Sequence, residues 1–248
     1  MSTGRGRWRV RRRRPFRLII RLALAFSLAS AAFVGYQWVT WPQVSKLATE
    51  NPQTTAFIER YRDAAVGRET QPVRWTWVRY EAISPHLKHA VVVSEDIEFF
   101  AHQGFSVHEL KTAVADALKR RKALRGASTI SQQLAKNLWL APSRNPWRKV
   151  KEALLTRQLE RELGKQRILE IYLNVVEFGP GLYGAEAAAR HYFGRAAAEL
   201  NPEQAAALAA GMPKPSRWHP GSGESEYLQR VRRIGERMRR TDWLRRLI

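Results

Sequence analysis

The sequence predicts a mainly α-helical domain that follows a single N-terminal transmembrane helix. An apolar run at residues 18–39 is long enough to cross a bilayer, and from Ser84 onward helix caps and helical spacing of apolar residues recur. The chain holds no cysteine, which excludes a disulfide framework and thiolate metal sites. A formal net charge of +21 over 248 residues favours an anionic partner: nucleic acid, anionic lipid or a phosphorylated substrate.

The N-terminal segment has the pattern of a membrane anchor. Residues 1–17 are rich in arginine and contain no acid, and in the apolar run that follows only Arg21 is charged. A helix over that run is about 33 Å long, and Tyr36, Trp38 and Trp41 at its far end fit a membrane interface. The positive-inside rule places the arginines in the cytoplasm and the chain after Trp41 outside it. A cleaved signal peptide is the alternative, but WVTWPQ has no small-residue cleavage site.

The elements after the anchor follow from caps and spacing. Residues 41–83 are predicted to be a connecting region with one helix and a short extended stretch. Ser84 followed by Pro85 predicts a helix start, and Thr129 with Gln132 predicts a capping box. Further helices are predicted at 146–163, 165–174, 182–192 and 201–210, a tight turn at Gly179, Gly181 and Gly184, and an Arg-rich amphipathic helix over Glu226–Ile248.

SEDIEFFAHQGF, residues 94–105, crowds three acids and His102 among aromatic residues. In a helix that starts at Pro85, Glu95 continues the apolar stripe of Leu87 and Val91. A carboxyl group partly withdrawn from water suits general acid or base catalysis. The alternative is a helix-terminal acid exposed to water. His102 alone is more often a structural hydrogen-bonding residue than a catalyst.

RGASTISQQLAKNLWL, residues 125–140, is a candidate polar wall. Ser128 and Thr129 stand at a helix start, where free N–H groups attract anions. Gln132 and Lys136 share a helical face, which predicts a surface rich in donors for sugar hydroxyls or phosphate. The glycine pattern of a P-loop is missing. Ordinary capping of a packed helix is the alternative.

The stretch at residues 145–165 places Glu152 on one stripe with Leu155 and Leu159, so this carboxylate lies on a buried face. Arg148, one turn earlier, can pair with it, either structurally or at the floor of a charged cleft. A cationic region suited to pyrophosphate is formed by Lys136, Arg144, Arg148 and Lys149. Two carboxylates with several cations suggest glycosyl transfer with a phosphate leaving group, because a hydrolase uses two acids without a pyrophosphate clamp.

Together these stretches resemble the peptidoglycan glycosyltransferases of family 51, which form the transglycosylase domain of class A penicillin-binding proteins and the monofunctional transglycosylases. Five family motifs occur in order between about residues 85 and 220. They are EDxxFxxHxG at Glu95, Asp96, Phe99, His102 and Gly104; G(G/A)STIxQQxxKN at Gly126–Asn137; RKxxE at Arg148, Lys149 and Glu152; ILExYLN at Ile168–Asn174; and GxxGxxxAAxxYFG at Gly181, Gly184, Ala188, Ala189, Tyr192, Phe193 and Gly194. The one departure is Ser106, where the family often has Asp.

The resemblance implies a two-lobed, lysozyme-like, mainly α fold. It divides the chain into a basic cytoplasmic segment (1–17), a transmembrane anchor (18–40), a juxtamembrane region (41–83), a catalytic domain (84–220) with a mobile flap at about 105–126, and a basic C-terminal helix (221–248). The alanine in RGASTISQQ is similar to the monofunctional, membrane-anchored branch of Gram-negative bacteria. The sequence contains no KTG triad, so no transpeptidase activity is expected.

The resemblance also implies a reaction, the inverting polymerisation of lipid II into β-1,4-linked glycan strands with release of undecaprenyl pyrophosphate. Glu95 is the implied general base, and Glu152 assists in the donor site. The implied substrate-binding residues are Asp96, Phe99, His102, Gly126, Ser128, Thr129, Gln132, Gln133, Lys136, Asn137, Arg144, Arg148 and Lys149. No cofactor is required; Mg²⁺ or Mn²⁺ sometimes accompanies the pyrophosphate in the family, but this sequence shows no dedicated metal ligands.

The expected partners are lipid II, the growing glycan chain, the membrane and proteins of cell division or elongation, without nucleic acid. The expected location is the bacterial inner membrane, single-pass, with the catalytic domain in the periplasm. The arginines of the C-terminal helix either hold the domain to anionic headgroups or form a solvated face; they are Arg230, Arg232, Arg233, Arg237, Arg239 and Arg240. Two rival functions stay open, a lysozyme-type or lytic glycan-cleaving enzyme and a non-catalytic scaffold of wall synthesis.

Overall fold

The computed structural model describes residues 14–67, 70–106, 128–140 and 145–248, with the backbone alone at 14–17 and 146. The chain divides into two compact units, Met1–Gln43 and Val44–Ile248.

The first unit contains helix α1, Arg14–Val39. From Leu18 to Phe26 and beyond, its apolar side chains are exposed rather than packed against protein. Among the described residues it is the one helix long and apolar enough to cross a membrane. Exposed apolar side chains over this length are consistent with the predicted anchor.

The second unit is built mainly from helices, which confirms the predicted fold class. The helices are α2 (Ala56–Ala65), α3 (Pro85–Glu95), α4 (Ile130–Trp139), α5 (Pro146–Glu162), α6 (Lys165–Val175), α7 (Ala185–Phe193), α8 (Pro202–Gly211) and α9 (Ser225–Arg240). Short 3₁₀ turns occur at Val44–Ala48, Tyr80–Ala82, Ala197–Glu199 and Asp242–Arg246. A small sheet is formed by β1 (Arg74–Trp75), β2 (Glu177–Gly179) and β3 (Leu182–Tyr183), with β3 between a parallel β1 and an antiparallel β2.

The starts of α3 and α4 are those that their caps predict. The Ser84 hydroxyl accepts from the His86 amide at 3.2 Å to begin α3. At α4, Thr129 accepts from the Gln132 amide while the Gln132 side chain accepts from the Thr129 amide at 3.0 Å, a complete capping box. The helix predicted at 182–192 begins later because residues 182–183 pair in the sheet and Gly184, at φ +82°, turns the chain into α7.

The helices pack in two groups that meet at the candidate site. Helices α3, α8 and α9 contact one another, and α4 packs on α2, α5 and α6. The groups are joined where the C-terminal end of α3 meets the N-terminal end of α4: the buried Asp96 carboxylate accepts from the Ile130 amide at 2.9 Å. This junction positions the last residue of α3, Glu95, between the groups.

The amphipathic helix predicted over Glu226–Ile248 is α9, which ends earlier than predicted, at Arg240, and is followed by the 3₁₀ turn at Asp242–Arg246. Its apolar face, with Tyr227, Ile234 and Met238, is buried against α3 and α8. Most of its arginines lie on the opposite, exposed face. The apolar side of this helix is therefore covered by protein.

Candidate active site

The carboxylate of Glu95 lies at the junction of the two helix groups and is held by both. Its Oε1 accepts from Arg230 Nη2 at 3.0 Å, and its Oε2 accepts from Gln133 Nε2 at 3.1 Å. Its side chain is 13% exposed, so it is largely withdrawn from water and still reachable. The apolar stripe of α3 continues to this residue, with Leu87 and Val91 fully buried.

A buried tyrosine fixes the orientation of Gln133. The hydroxyl of Tyr172, on α6, donates to Gln133 Oε1 at 2.8 Å. Because Oε1 accepts this bond, the Gln133 amide presents its Nε2 donor to Glu95. Burial raises the pKa of Tyr172 well above its ordinary value, so the tyrosine remains a donor. Tyr172 belongs to the ILExYLN motif but was not predicted as a site residue.

Arg230 was not predicted as a site residue either. Headgroup binding and a solvated face were the two expectations for the arginines of α9, and the structure contradicts both for Arg230, which points inward to Glu95. Its Nε is buried without a hydrogen-bond partner among the described residues. Burial lowers the pKa of Arg230, although Glu95 opposes this shift. A helical-wheel reading of α9 could have shown that Arg230 borders the apolar face, but not that Glu95 lies opposite.

The second carboxylate is buried and paired, as the spacing predicts. Glu152 has a side chain that is 4% exposed and accepts from Arg148 Nη1 at 3.3 Å. Lys149 donates to its other oxygen. Leu155 and Leu159 on the same stripe are fully buried. Two cations on one carboxylate leave net positive charge at this side of the site.

Lys136 lies within the electrostatic reach of both acids. Burial lowers the pKa of Lys136, while Glu152 and Glu95 act in the opposite direction. Within the described ranges no carboxylate lies at salt-bridge distance from its ammonium group, and its ring contact is with Phe57, at 5.9 Å. A half-buried ammonium group without a paired carboxylate is suited to an anionic ligand.

Several residues predicted to bind substrate are instead buried in the scaffold of the site. Asp96 accepts from His102 Nε2 at 3.0 Å, and His102 Nδ1 accepts from the Gly104 amide at 3.0 Å. Thr129 donates to the Gly104 carbonyl at 2.7 Å. Phe99 is fully buried. These contacts fasten the turn after α3 to the start of α4, so these residues support the site in this structure, and their direct contact with substrate stays a prediction.

The remaining predicted residues fall into three groups. The Gln132 side chain is used in the capping box, and Asn137 is buried. Ser128 is exposed at the start of α4, where its carbonyl accepts from Gln133 at 3.3 Å. Gly126, Arg144 and most of the predicted flap lie outside the described residues.

The described residues do not fit a divalent cation held by protein ligands. Within those ranges no three His, Asp or Glu side chains come together at ligand spacing. Glu152, the acid closest to the cationic region, already accepts from Arg148 and Lys149. Its oxygens are therefore occupied by cations of the chain itself.

The arrangement has the parts of a base-catalysed group transfer to a hydroxyl acceptor with departure of an anionic leaving group. One partly exposed carboxylate, Glu95, is oriented by hydrogen bonds from Arg230 and Gln133 and can take a proton from a bound hydroxyl. Beside it, Lys136, Arg148 and Lys149 can hold negative charge as it develops on a leaving phosphate. A retaining or inverting hydrolase needs a pair of carboxylates without such a clamp.

Comparison with known proteins agrees with glycosyl transfer. The family model Transglycosylase matches residues 63–239. A protein of Nitrosospira multiformis named biosynthetic peptidoglycan transglycosylase is 42% identical over 200 residues, 80% of this chain and 86% of that protein. Relatives with the same name in Laribacter hongkongensis and Dechloromonas aromatica are 44% identical over 211 residues (84% of this chain, 92% of that protein) and 52% identical over 166 residues (66% and 72%).

Proposed function

This chain belongs to the transglycosylase family, and from that premise we propose that it is a peptidoglycan glycosyltransferase that polymerises lipid II by glycosyl transfer alone. The observation that carries the proposal is that the site holds both an oriented, partly exposed carboxylate, Glu95, and a group of cations around Glu152. The relatives are named for this activity, and the match to this chain covers most of their length.

Glu95 acts as the general base on the acceptor. It takes the proton from the 4-hydroxyl of the acceptor's N-acetylglucosamine, and that oxygen forms a bond to the anomeric carbon of the donor's N-acetylmuramic acid. The bond from this carbon to the pyrophosphate breaks, and attack from the opposite face converts an α linkage into a β-1,4 bond. The hydrogen bonds from Gln133 and Arg230 hold the carboxylate in place for this step.

The cations of α4 and α5 stabilise the leaving group. Undecaprenyl pyrophosphate departs with the electron pair of the broken bond, and Lys136 with Arg148 offers positive charge where this negative charge appears. Glu152 holds Arg148 and Lys149 in position, so it acts on the donor side through those cations. Ser128 and the amide of Gln133 line the sugar path.

The test is polymerisation of labelled lipid II by the detergent-solubilised full chain, beside Glu95→Gln. Lysozyme-sensitive glycan strands from the wild type and none from the variant support both the activity and the base. If both proteins form strands, the activity stands and only the role of Glu95 as the base is contradicted. If neither protein forms strands while a known polymerase does, the activity is contradicted and a non-catalytic scaffold is favoured; shortening of preformed strands by the wild type would instead indicate a lytic enzyme.

We also propose that the domain lies in the periplasm, anchored in the inner membrane by α1. The chain has no cysteine, so single cysteines can be labelled without background. Ala198→Cys, at an exposed position, should react with a membrane-impermeant maleimide in cells with a permeabilised outer membrane. Ser2→Cys should react only after the cells are lysed. The reverse labelling pattern would contradict the orientation.

A further inference from the structure

A cavity of about 240 Å³, lined by both polar and apolar side chains, opens beside the small sheet and is not used by the proposed reaction. Its polar side chains are those of Gln71, Arg74, His191, Tyr192, Ser216 and His219. No Asp or Glu lines it among the described residues. Arg74 therefore contributes its one permanent charge.

The hydrogen bonds of Arg74 leave that charge unbalanced. Its Nη1 donates to His191 Nδ1 at 2.9 Å and its Nη2 donates to Gln71 Oε1 at 2.8 Å. Both acceptors are neutral groups. In the described part of the chain no carboxylate pairs with Arg74, and its guanidinium group still has unused N–H donors.

The two imidazoles of the cavity have fixed tautomers. His191 Nδ1 accepts from an arginine, so it carries no proton and the proton of the neutral ring is on Nε2. Burial, together with Arg74 and His219, lowers the pKa of His191, which keeps this ring neutral. His219 Nδ1 donates to the Pro220 carbonyl at 3.0 Å, and its ring stacks on Tyr192 with 5.9 Å between centroids.

This set of groups matches a carboxylate on a small apolar residue. A guanidinium fork binds a carboxylate through two parallel hydrogen bonds, and the His191 Nε2–H and the Ser216 hydroxyl are further neutral donors. Leu182, Pro180 and the Tyr192–His219 stack give the cavity an apolar side. The volume is below that of a cavity for a whole sugar-sized ligand, so it fits the end of a longer molecule.

The cavity is fastened to the helix that serves the active site. The Trp75 indole donates to the Asn174 carbonyl at 2.6 Å, and the Asn174 side chain bonds both the amide and the carbonyl of Val78 at 2.9 Å. These contacts attach β1, which carries Arg74, to the end of α6, where Tyr172 holds Gln133.

The upper bound on the Cα separation of Tyr172 and Gly179 is compatible with the reach of a peptide attached to the sugar substrate. The path from Tyr172 to Gly179, three helical and four extended steps, has an upper length of about 18 Å. A stem peptide of about five residues spans about 17 Å when extended.

We propose that Arg74 and its neighbours form a carboxylate site for the C-terminal end of the peptide carried by the peptidoglycan precursor. The inference rests on the proposed function, because it names a further part of the same substrate. It assigns Arg74 to substrate affinity and not to the chemical step.

The experiment compares two substrates on the full chain in detergent: lipid II with its free peptide carboxylate and lipid II in which that carboxylate is an amide. For the wild type, the amide should raise KM by about tenfold with kcat unchanged, because one charge-assisted hydrogen bond to the carboxylate is lost. Arg74→Gln should raise KM for the free acid by a similar factor and should not distinguish the two substrates. Equal KM values for both substrates on the wild type would overturn the proposal, whatever the stability of any variant.

Arg79→Gln is the matched control, because Arg79 is exposed on the following stretch and does not line the cavity. It should retain the wild-type preference for the free acid. Independent, additive effects of Arg74→Gln and of the amide would place the carboxylate elsewhere and overturn the assignment. Thermal unfolding of each variant tests folding, and Ser216→Ala, at an exposed rim position, gives a second, milder loss of preference if Arg74→Gln does not fold.

A binding measurement separates failure of this inference from failure of the proposed function. The Kd of both lipid II forms is measured on Glu95→Gln, with and without Arg74→Gln. Carboxylate-dependent binding supports the site even if the wild type forms no strands. Strand formation with the same Kd for both forms retains the function and overturns the site.

Discussion

Arg230→Gln removes the cation that contacts the candidate base while keeping a polar side chain of similar length. The Arg230 Nη2 to Glu95 Oε1 distance is 3.0 Å, and the arginine side chain is 25% exposed. A hydrogen bond to a charged group contributes about 1.5–3 kcal/mol, and partial exposure favours the lower part of that range. A loss of about 2 kcal/mol from the transition state corresponds to about a 30-fold lower kcat.

The assay is the initial rate of strand formation from labelled lipid II, with kcat and KM determined separately. Arg230→Lys keeps a cation near Glu95 and should recover part of kcat, which a purely structural role would not require. Arg240→Gln, at an exposed position of the same helix, is the control and should leave both constants unchanged. A folded Arg230→Gln protein with wild-type kcat would refute the reasoning.

Three further substitutions test the support of the site. Lys136→Met should abolish strand formation yet raise the unfolding temperature, because burial lowers the pKa of Lys136 and penalises its charge. That penalty is full below the lowered pKa and disappears above the unfolded value of about 10.4, so the gain should shrink from pH 7 to pH 10. Asp96→Ala should cost about 3 kcal/mol in urea unfolding, since it leaves the buried Ile130 amide without its acceptor. Gly184→Ala should cost about 2 kcal/mol or more, because φ is +82° and the added Cβ would lie 2.6 Å from the Asn174 carbonyl oxygen.

Each of these has a milder counterpart. Lys46→Met, at an exposed lysine, should leave the unfolding temperature unchanged at either pH. Asp96→Asn keeps one side-chain oxygen and should cost less than Asp96→Ala. Gly221→Ala shares a positive φ of +93° but meets nothing within 4 Å, so it should cost less than Gly184→Ala. Equal losses within either pair, or no stabilisation by Lys136→Met, would contradict the physical reason given.

The sequence predicted most elements of the second unit because their signals are local. A cap such as Ser84 or Thr129 acts on amides two or three residues away, and the stripe from Glu152 to Leu159 lies within one helix. The pairing of Glu152 with Arg148 could be predicted for the same reason, since four residues on a helix bring side chains together. The late start of α7 was missed because the sheet pairing of residues 182–183 involves β1, more than a hundred residues earlier.

The spacing of residues along the helices predicted which acids and cations belong to the site, but it could not show which of these side chains are accessible. Asp96, Thr129 and Ser128 are all polar residues of the first two motifs, yet Asp96 and Thr129 are buried while Ser128 is exposed. Burial at these positions depends on the joining of α3 to α4, which is a contact between segments about 30 residues apart. Accessibility is therefore a property of packing.

The sequence by itself determined the apolar N-terminal helix, most of the other helices and the chemical groups, because hydrophobic length, caps and helical spacing act within a few residues. The tertiary structure decided what surrounds the base. Arg230 is 135 residues from Glu95 in the chain, and by composition it is one of many arginines in α9. Its contact exists because Tyr227 and Ile234 of the same helix are buried against α3 and α8, which sets the rotation of α9 and turns this one guanidinium toward the carboxylate.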